Sequence, residues 1–125
     1  MKTFKEADIL LPGKEVNMEK WSVIACDQFT SEPEYWQEVK KFAGDSPSTL
    51  DMILPEVYLE QENHEEQLKN IEASMNKYLR EKVFTEYKDA MIYVERTDSV
   101  GNVRAGIVGK IDLEQNDIAK RVHLL

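Results

Sequence analysis

The longest regular pattern in the chain lies between Asn63 and Val83, where Leu68, Ile71, Met75, Tyr78, Leu79 and Val83 recur at helical intervals. Side chains so spaced share one face of an α-helix, so the pattern predicts about five turns with Leu68, Ile71, Met75, Tyr78 and Leu79 turned towards a core. Asn63-His64-Glu65-Glu66 stands ahead of it as a capping-box pattern, with an oxygen for the free N–H groups and an acid three residues on. A helix this long draws most of its stability from packing, so the remaining chain must supply a surface for it to rest on.

A second amphipathic helix is expected after Ser31-Glu32-Pro33-Glu34. Ser31 is placed to cap it, Pro33 falls in the first turn where its missing N–H costs nothing, and Gly44 can end it. Tyr35, Trp36, Val39, Phe42 and Ala43 then form its apolar stripe, more naturally core than a cofactor box. The apolar run Trp21–Cys26 reads as a buried strand ending at Asp27-Gln28, and Leu50–Leu59 as a strand interrupted at Pro55. Ala7–Leu11 adds a short strand within an otherwise extended opening segment. The runs Ala90–Val94 and Val103–Leu113 flank the turn-like Asp98-Ser99-Val100-Gly101-Asn102 and read as an antiparallel hairpin. Gly106 and Gly109 in its second arm mark a bulge or a close backbone approach. The order predicts an α+β fold, with a mixed or antiparallel sheet, two amphipathic helices and a C-terminal β-hairpin, in one domain over residues 1–125.

A net charge of −8, with the 16 basic residues interleaved among 24 acids, argues against nucleic acid or an anionic membrane surface as partner. No run approaches the roughly 20 apolar residues of a membrane span, the first residues lack the pattern of a signal peptide, and the single cysteine has no partner in the chain. A cytoplasmic protein is expected.

Asp27, Gln28, Thr30 and Ser31 are the ligand-binding candidates, because polar groups between a strand end and a helix start occupy a position where sheets often bind ligands. Asp27 could serve as a base or bind a cation, and Thr30 and Ser31 could hold an anion. The bland alternative is that Ser31 caps the helix and Asp27 supports the turn. Cys26 has acidic Asp27 beside it, which works against a thiolate, so it is expected to be a buried structural thiol. His64 has Glu65 and Glu66 beside it but would need further ligands from elsewhere in the fold to hold a metal, so a solvated surface position is expected; His123 has no assignable role, and the acids from Glu56 to Glu66 lack the spacing of a calcium loop. The residues specify no catalytic group, no metal site and no cofactor.

Trp21-Ser22-Val23-Ile24-Ala25-Cys26-Asp27-Gln28-Phe29-Thr30-Ser31-Glu32-Pro33-Glu34-Tyr35-Trp36, then Leu54-Pro55-Glu56-Val57-Tyr58-Leu59 and Gly106-Ile107-Val108-Gly109-Lys110-Ile111-Asp112-Leu113-Glu114, resemble the bacterial and archaeal family called domain of unknown function 1015. The resemblance covers nearly the whole chain and implies the amino-terminal part of a longer protein, with a polar segment that would be its natural active site following where this chain stops; Asp117–Leu125 departs from the pattern. It further implies a link to serine metabolism, through genes that neighbour the phosphorylated serine pathway, and a distant likeness to small-molecule kinases of the ParB-like type. Three readings stay open: an uncharacterised fragment with no activity of its own; part of a small-molecule enzyme, serine-related or acting on a phosphorylated metabolite; and a binding or assembly module. In the last, the hairpin edge would pair with a second copy or with the missing C-terminal region. Apolar Ile118, Val122, Leu124 and Leu125 are expected to meet such a surface.

Overall fold

The computed structural model describes residues 3–113. In chain order they form β1 (Phe4–Lys5), β2 (Ala7–Pro12), α1 (Met18–Trp21), α2 (Pro33–Ala43), two 3-10 turns (Thr49–Met52 and Glu56–Tyr58), α3 (His64–Arg80), β3 (Phe84–Ala90), β4 (Ile92–Thr97), β5 (Val103–Val108) and β6 (Lys110–Ile111). The class is α+β, with the strands of the described residues distributed over three two-stranded sheets in place of one continuous sheet. Two units are distinguishable, one from residues 3–11 and 86–113 and the other from Pro12–Thr85. Among the described residues no helix is long and apolar enough to cross a membrane. The expectations for Ile118, Val122, His123, Leu124 and Leu125 lie outside the described residues.

The Pro12–Thr85 unit departs from the expected strands. Asn17 caps α1 by accepting the N–H groups of Glu19 and Lys20 at 3.0 and 3.3 Å, so Trp21 ends a helical turn and does not open a strand. Residues 22–25 have no regular structure, and Ile24 is exposed. The apolar run supplies one anchor, the buried Trp21, whose ring meets Phe84 edge-on at 5.6 Å and Tyr78 at 6.0 Å. The expected strand over Leu50–Leu59 is likewise replaced by the two 3-10 turns. Ser48 Oγ takes the Leu50 N–H at 3.2 Å and opens the first; Pro55, with no N–H for a ladder, stands at the head of the second.

Helix α2 ends at Gly44, whose φ of 55° favours glycine. Its start is one residue later than expected. Pro33 is the first helical residue, which makes Glu32 the N-cap, and Ser31 lies too early to cap. Trp36 and Ala43 are buried, Val39 is half-buried, and Phe42 of the expected stripe is exposed.

Helix α3 is the longest among the described residues at 17 residues, but its expected capping box does not form. Asn63 is the N-cap without a backbone bond from its side chain; its Oδ1 accepts from Gln67 Nε2 at 3.0 Å. The inward face also differs. His64, Gln67, Ile71 and Ser74 are half-buried and Tyr78 is buried, at steps of three and four, whereas Leu68, Met75 and Leu79 stand close to half exposed. Of the five residues expected inside, Tyr78 and Ile71 are there. The anchoring of Tyr78 decides the rotation: its ring packs with Trp21 and Phe84, and its hydroxyl is bound from the first 3-10 turn.

In the other unit, β4 and β5 form the expected hairpin, paired from Ile92↔Val108 to Thr97↔Val103. Its turn is organised by Asp98, whose carboxylate accepts from the N–H groups of Asn102 and Val100 at 2.9 and 3.0 Å and from Asn102 Nδ2 at 3.1 Å. The Asn102 backbone donor, foremost among these, holds the Asp98 carboxyl below its ordinary pKa. Antiparallel β1 and β6 pair Phe4 with Ile111 and Lys5 with Lys110, and β2 pairs with β3. The close approach expected at Gly109 is present: a Cβ there would stand 2.7 Å from the Lys5 carbonyl oxygen and 2.9 Å from Phe4 Cζ.

Candidate functional site

Polar residues of α3, the half-buried Gln67 and Ser74 with the exposed Asn70, line a cavity. Gln67, Asn70 and Ser74 face Gln37 and Lys40 of α2, and the 3-10 segment from Leu50 to Tyr58 with Gln61 completes the wall around a volume of about 390 Å³. The floor is apolar, with Trp36, Ile53, Leu54, Pro55 and Ile71. Four carboxamides, the hydroxyls of Ser74 and Tyr58, one lysine and one aspartate over an apolar floor are the composition of a pocket for a small polar molecule.

The polar groups are unevenly satisfied. Gln67 Nε2 donates to Gln61 Oε1 at 3.2 Å and to Asn63 Oδ1 at 3.0 Å, which sets the orientation of its amide. Its Oε1 is then left shielded from solvent without a hydrogen-bond donor. An acceptor in that state costs about 1–3 kcal/mol, which a ligand N–H or O–H reaching it would offset. Among the described residues Lys40 has no ion-pair partner.

Asp51 is held from behind. The Tyr78 hydroxyl donates to Asp51 Oδ2 at 2.5 Å and accepts the Ser48 N–H at 3.0 Å. Burial pushes the Tyr78 hydroxyl pKa up to about 12, and the bond to Asp51 acts in the same direction. The phenol therefore remains a donor throughout the neutral range and fixes the carboxylate at the cavity wall.

Asp27, Gln28, Thr30 and Ser31 are all exposed and do not line this cavity. They sit on a loop whose backbone supports it. The Cys26 carbonyl accepts the Glu56 N–H at 2.9 Å, beside Pro55 in the wall, and the Phe29 carbonyl accepts from Trp36 Nε1 at 3.3 Å. Phe29 takes a φ of 50° to do so and stacks on Tyr35 at 4.0 Å. Within the four, Gln28 Nε2 donates to Asp27 Oδ1 at 3.3 Å. Cys26 is exposed, against the expectation of a buried thiol, because the strand that would have covered it is absent. Among the described residues no three of His, Cys, Asp and Glu gather as metal ligands.

Of the cavity residues, Gln67, Asn70 and Ser74 are absent from the candidates that the sequence offers, yet they carry a signal: polar side chains at core spacing on a helix whose apolar stripe lies one position away.

No curated protein and no solved structure matches the chain. A family model described as "Protein of unknown function (DUF1015)" matches residues 10–122, most of the sequence, and the chain belongs to that family.

Proposed function

We propose that Pro12–Thr85 is a binding domain for a small polar metabolite, seated in the cavity between α2, the 3-10 segment and α3. The observation that carries this reading is Gln67 Oε1, an acceptor without a donor in a wall of carboxamides. Lys40 and Asp51 extend the match to a molecule bearing both an anionic and a cationic group, in keeping with the amino-acid or phosphorylated ligand that the family resemblance implies. Asp27, Gln28, Thr30 and Ser31 enter as the outer edge of the supporting loop, and the cytoplasm is the setting in which such a metabolite would be met. Any reaction would need groups beyond those gathered here. The test is titration of the chain with L-serine and O-phospho-L-serine, followed by tryptophan fluorescence, to which Trp36 on the cavity floor contributes. A saturable change that is lost in Gln67→Leu supports the reading; no response to either compound, or equal binding by the variant, rejects it.

A second reading, assembly through the hairpin, is favoured by one observation: Tyr93, Val103 and Ile107 share one face of the β4–β5 ladder and are all more than half exposed. Sedimentation of the chain as a monomer at high concentration would remove self-association through that face.

A further inference from the structure

The β4–β5 register sets Arg96 directly opposite Arg104. Side chains so paired leave the sheet on the same face with Cβ atoms about 4.5–5.5 Å apart, and like charges there are destabilising. Both arginines are exposed, and among the described residues neither has an ion-pair partner. The acids closest to them along the strands are engaged elsewhere. Glu95 points to the opposite face of β4 and accepts the Tyr93 hydroxyl at 3.0 Å, while Asp98 is taken by the N–H groups of its own turn. Among the described residues two cations are thus held side by side with no acid set against them, although the chain has 24 acids to 16 bases.

The rest of that face is apolar and has room. Ile92↔Val108 and Val94↔Gly106 are the other pairs on it, and a Cβ built on Gly106 would meet nothing within 4 Å. We propose that Arg96 and Arg104 form an oxyanion-binding pair, which takes the phosphate or carboxylate of a small organic anion while the Val94–Gly106 strip receives its carbon portion. Guanidinium groups present planar forks that match either oxyanion in bidentate fashion, and two of them converging on one anion convert the repulsion between them into attraction for the ligand. The net charge of −8 selects against a polyanion, so the ligand is a small molecule. The site uses none of the residues of the cavity between α2 and α3 and stands independently of it.

The experiment follows the arginine Nε–Hε resonances of the whole chain by NMR during titration with inorganic phosphate, acetate and phenyl phosphate, each at ionic strength held constant with sodium chloride. The expected result is a saturable shift of Arg96 and Arg104 but not of Arg80, with binding weakened at least tenfold in Arg96→Gln and in Arg104→Gln. Unchanged hairpin amide signals in those variants show that the fold persists. The phosphate and acetate arms separate the two oxyanions, and phenyl phosphate should bind more tightly than inorganic phosphate. Equal affinity of those two removes the apolar part of the site. Shifts that grow linearly without saturating, that are shared by every arginine, or that survive in both variants overturn the proposal.

Discussion

Replacing Tyr78 by phenylalanine removes one oxygen atom from the best-connected point of the Pro12–Thr85 unit. The ring would keep its contacts with Trp21 and Phe84, so the change isolates two hydrogen bonds. One runs to a carboxylate, of a kind worth about 1.5–3 kcal/mol, although Asp51 is exposed and can turn to water, which places this loss at the lower end. The other leaves the N–H of Ser48, a residue 0% exposed, without its partner, at a cost of about 1–3 kcal/mol. Together they give an expected loss of about 2–4 kcal/mol at pH 7, since the two are coupled and do not simply add. The pH dependence has a definite sign. A tyrosine whose pKa is raised on folding contributes stability that is whole below the unfolded value of 10 and is lost as pH rises towards about 12. The gap between wild type and Y78F should therefore narrow by up to about 2 kcal/mol across that window. Urea unfolding followed by tryptophan fluorescence reads this directly, because both tryptophans, Trp21 and Trp36, lie in the affected unit. A Y78F variant within about 0.5 kcal/mol of wild type at pH 7, or a gap that widens above pH 10, would refute the reasoning.

Two other outcomes are expected. Cys26 is exposed and should react with a thiol reagent under native conditions at a rate close to that of a free peptide; slow labelling that accelerates only in denaturant would contradict its placement. Gly109→Ala should loosen the β1–β6 pairing and cost about 1–3 kcal/mol, because the new Cβ meets backbone, whereas Gly106→Ala, with open space around it, should change stability by less than about 0.5 kcal/mol. Hydrogen exchange at Lys5 and Lys110 in the two variants makes the comparison.

The elements with local causes were legible in the sequence. Helix α2 follows from Pro33 and Gly44, the hairpin from the turn residues Asp98–Asn102 flanked by apolar runs, and the length of α3 from its periodicity. What misled was the assumption that the more apolar stripe of a helix is the buried one. In α3 the seam that packs carries Gln67, Ser74 and Tyr78, because it borders a cavity and ends in an anchored phenol, and the apolar Leu68, Met75 and Leu79 lie outside it. The runs Trp21–Cys26 and Leu50–Leu59 have the composition and bounds of strands, yet β structure needs a neighbour to pair with and neither run has one among the described residues. With the first strand goes the positional argument for the Asp27–Ser31 loop. The cavity draws on α2, the 3-10 segment, Gln61 and α3, and such convergence of distant segments leaves only a faint trace along the chain.

The division of the chain has a consequence for the order in which it folds. Pro12–Thr85 is continuous in sequence, so every contact that defines it is available once Thr85 has been made. The other unit is discontinuous. Its β1 waits for β6, and Phe4 finds Ile111 only after the whole intervening segment has been synthesised, the kind of distant pairing that slows folding. During synthesis from the N-terminus the continuous unit can therefore form while β1 remains unpaired with β6, and any slow phase in refolding should be sought in the pairing of those two strands.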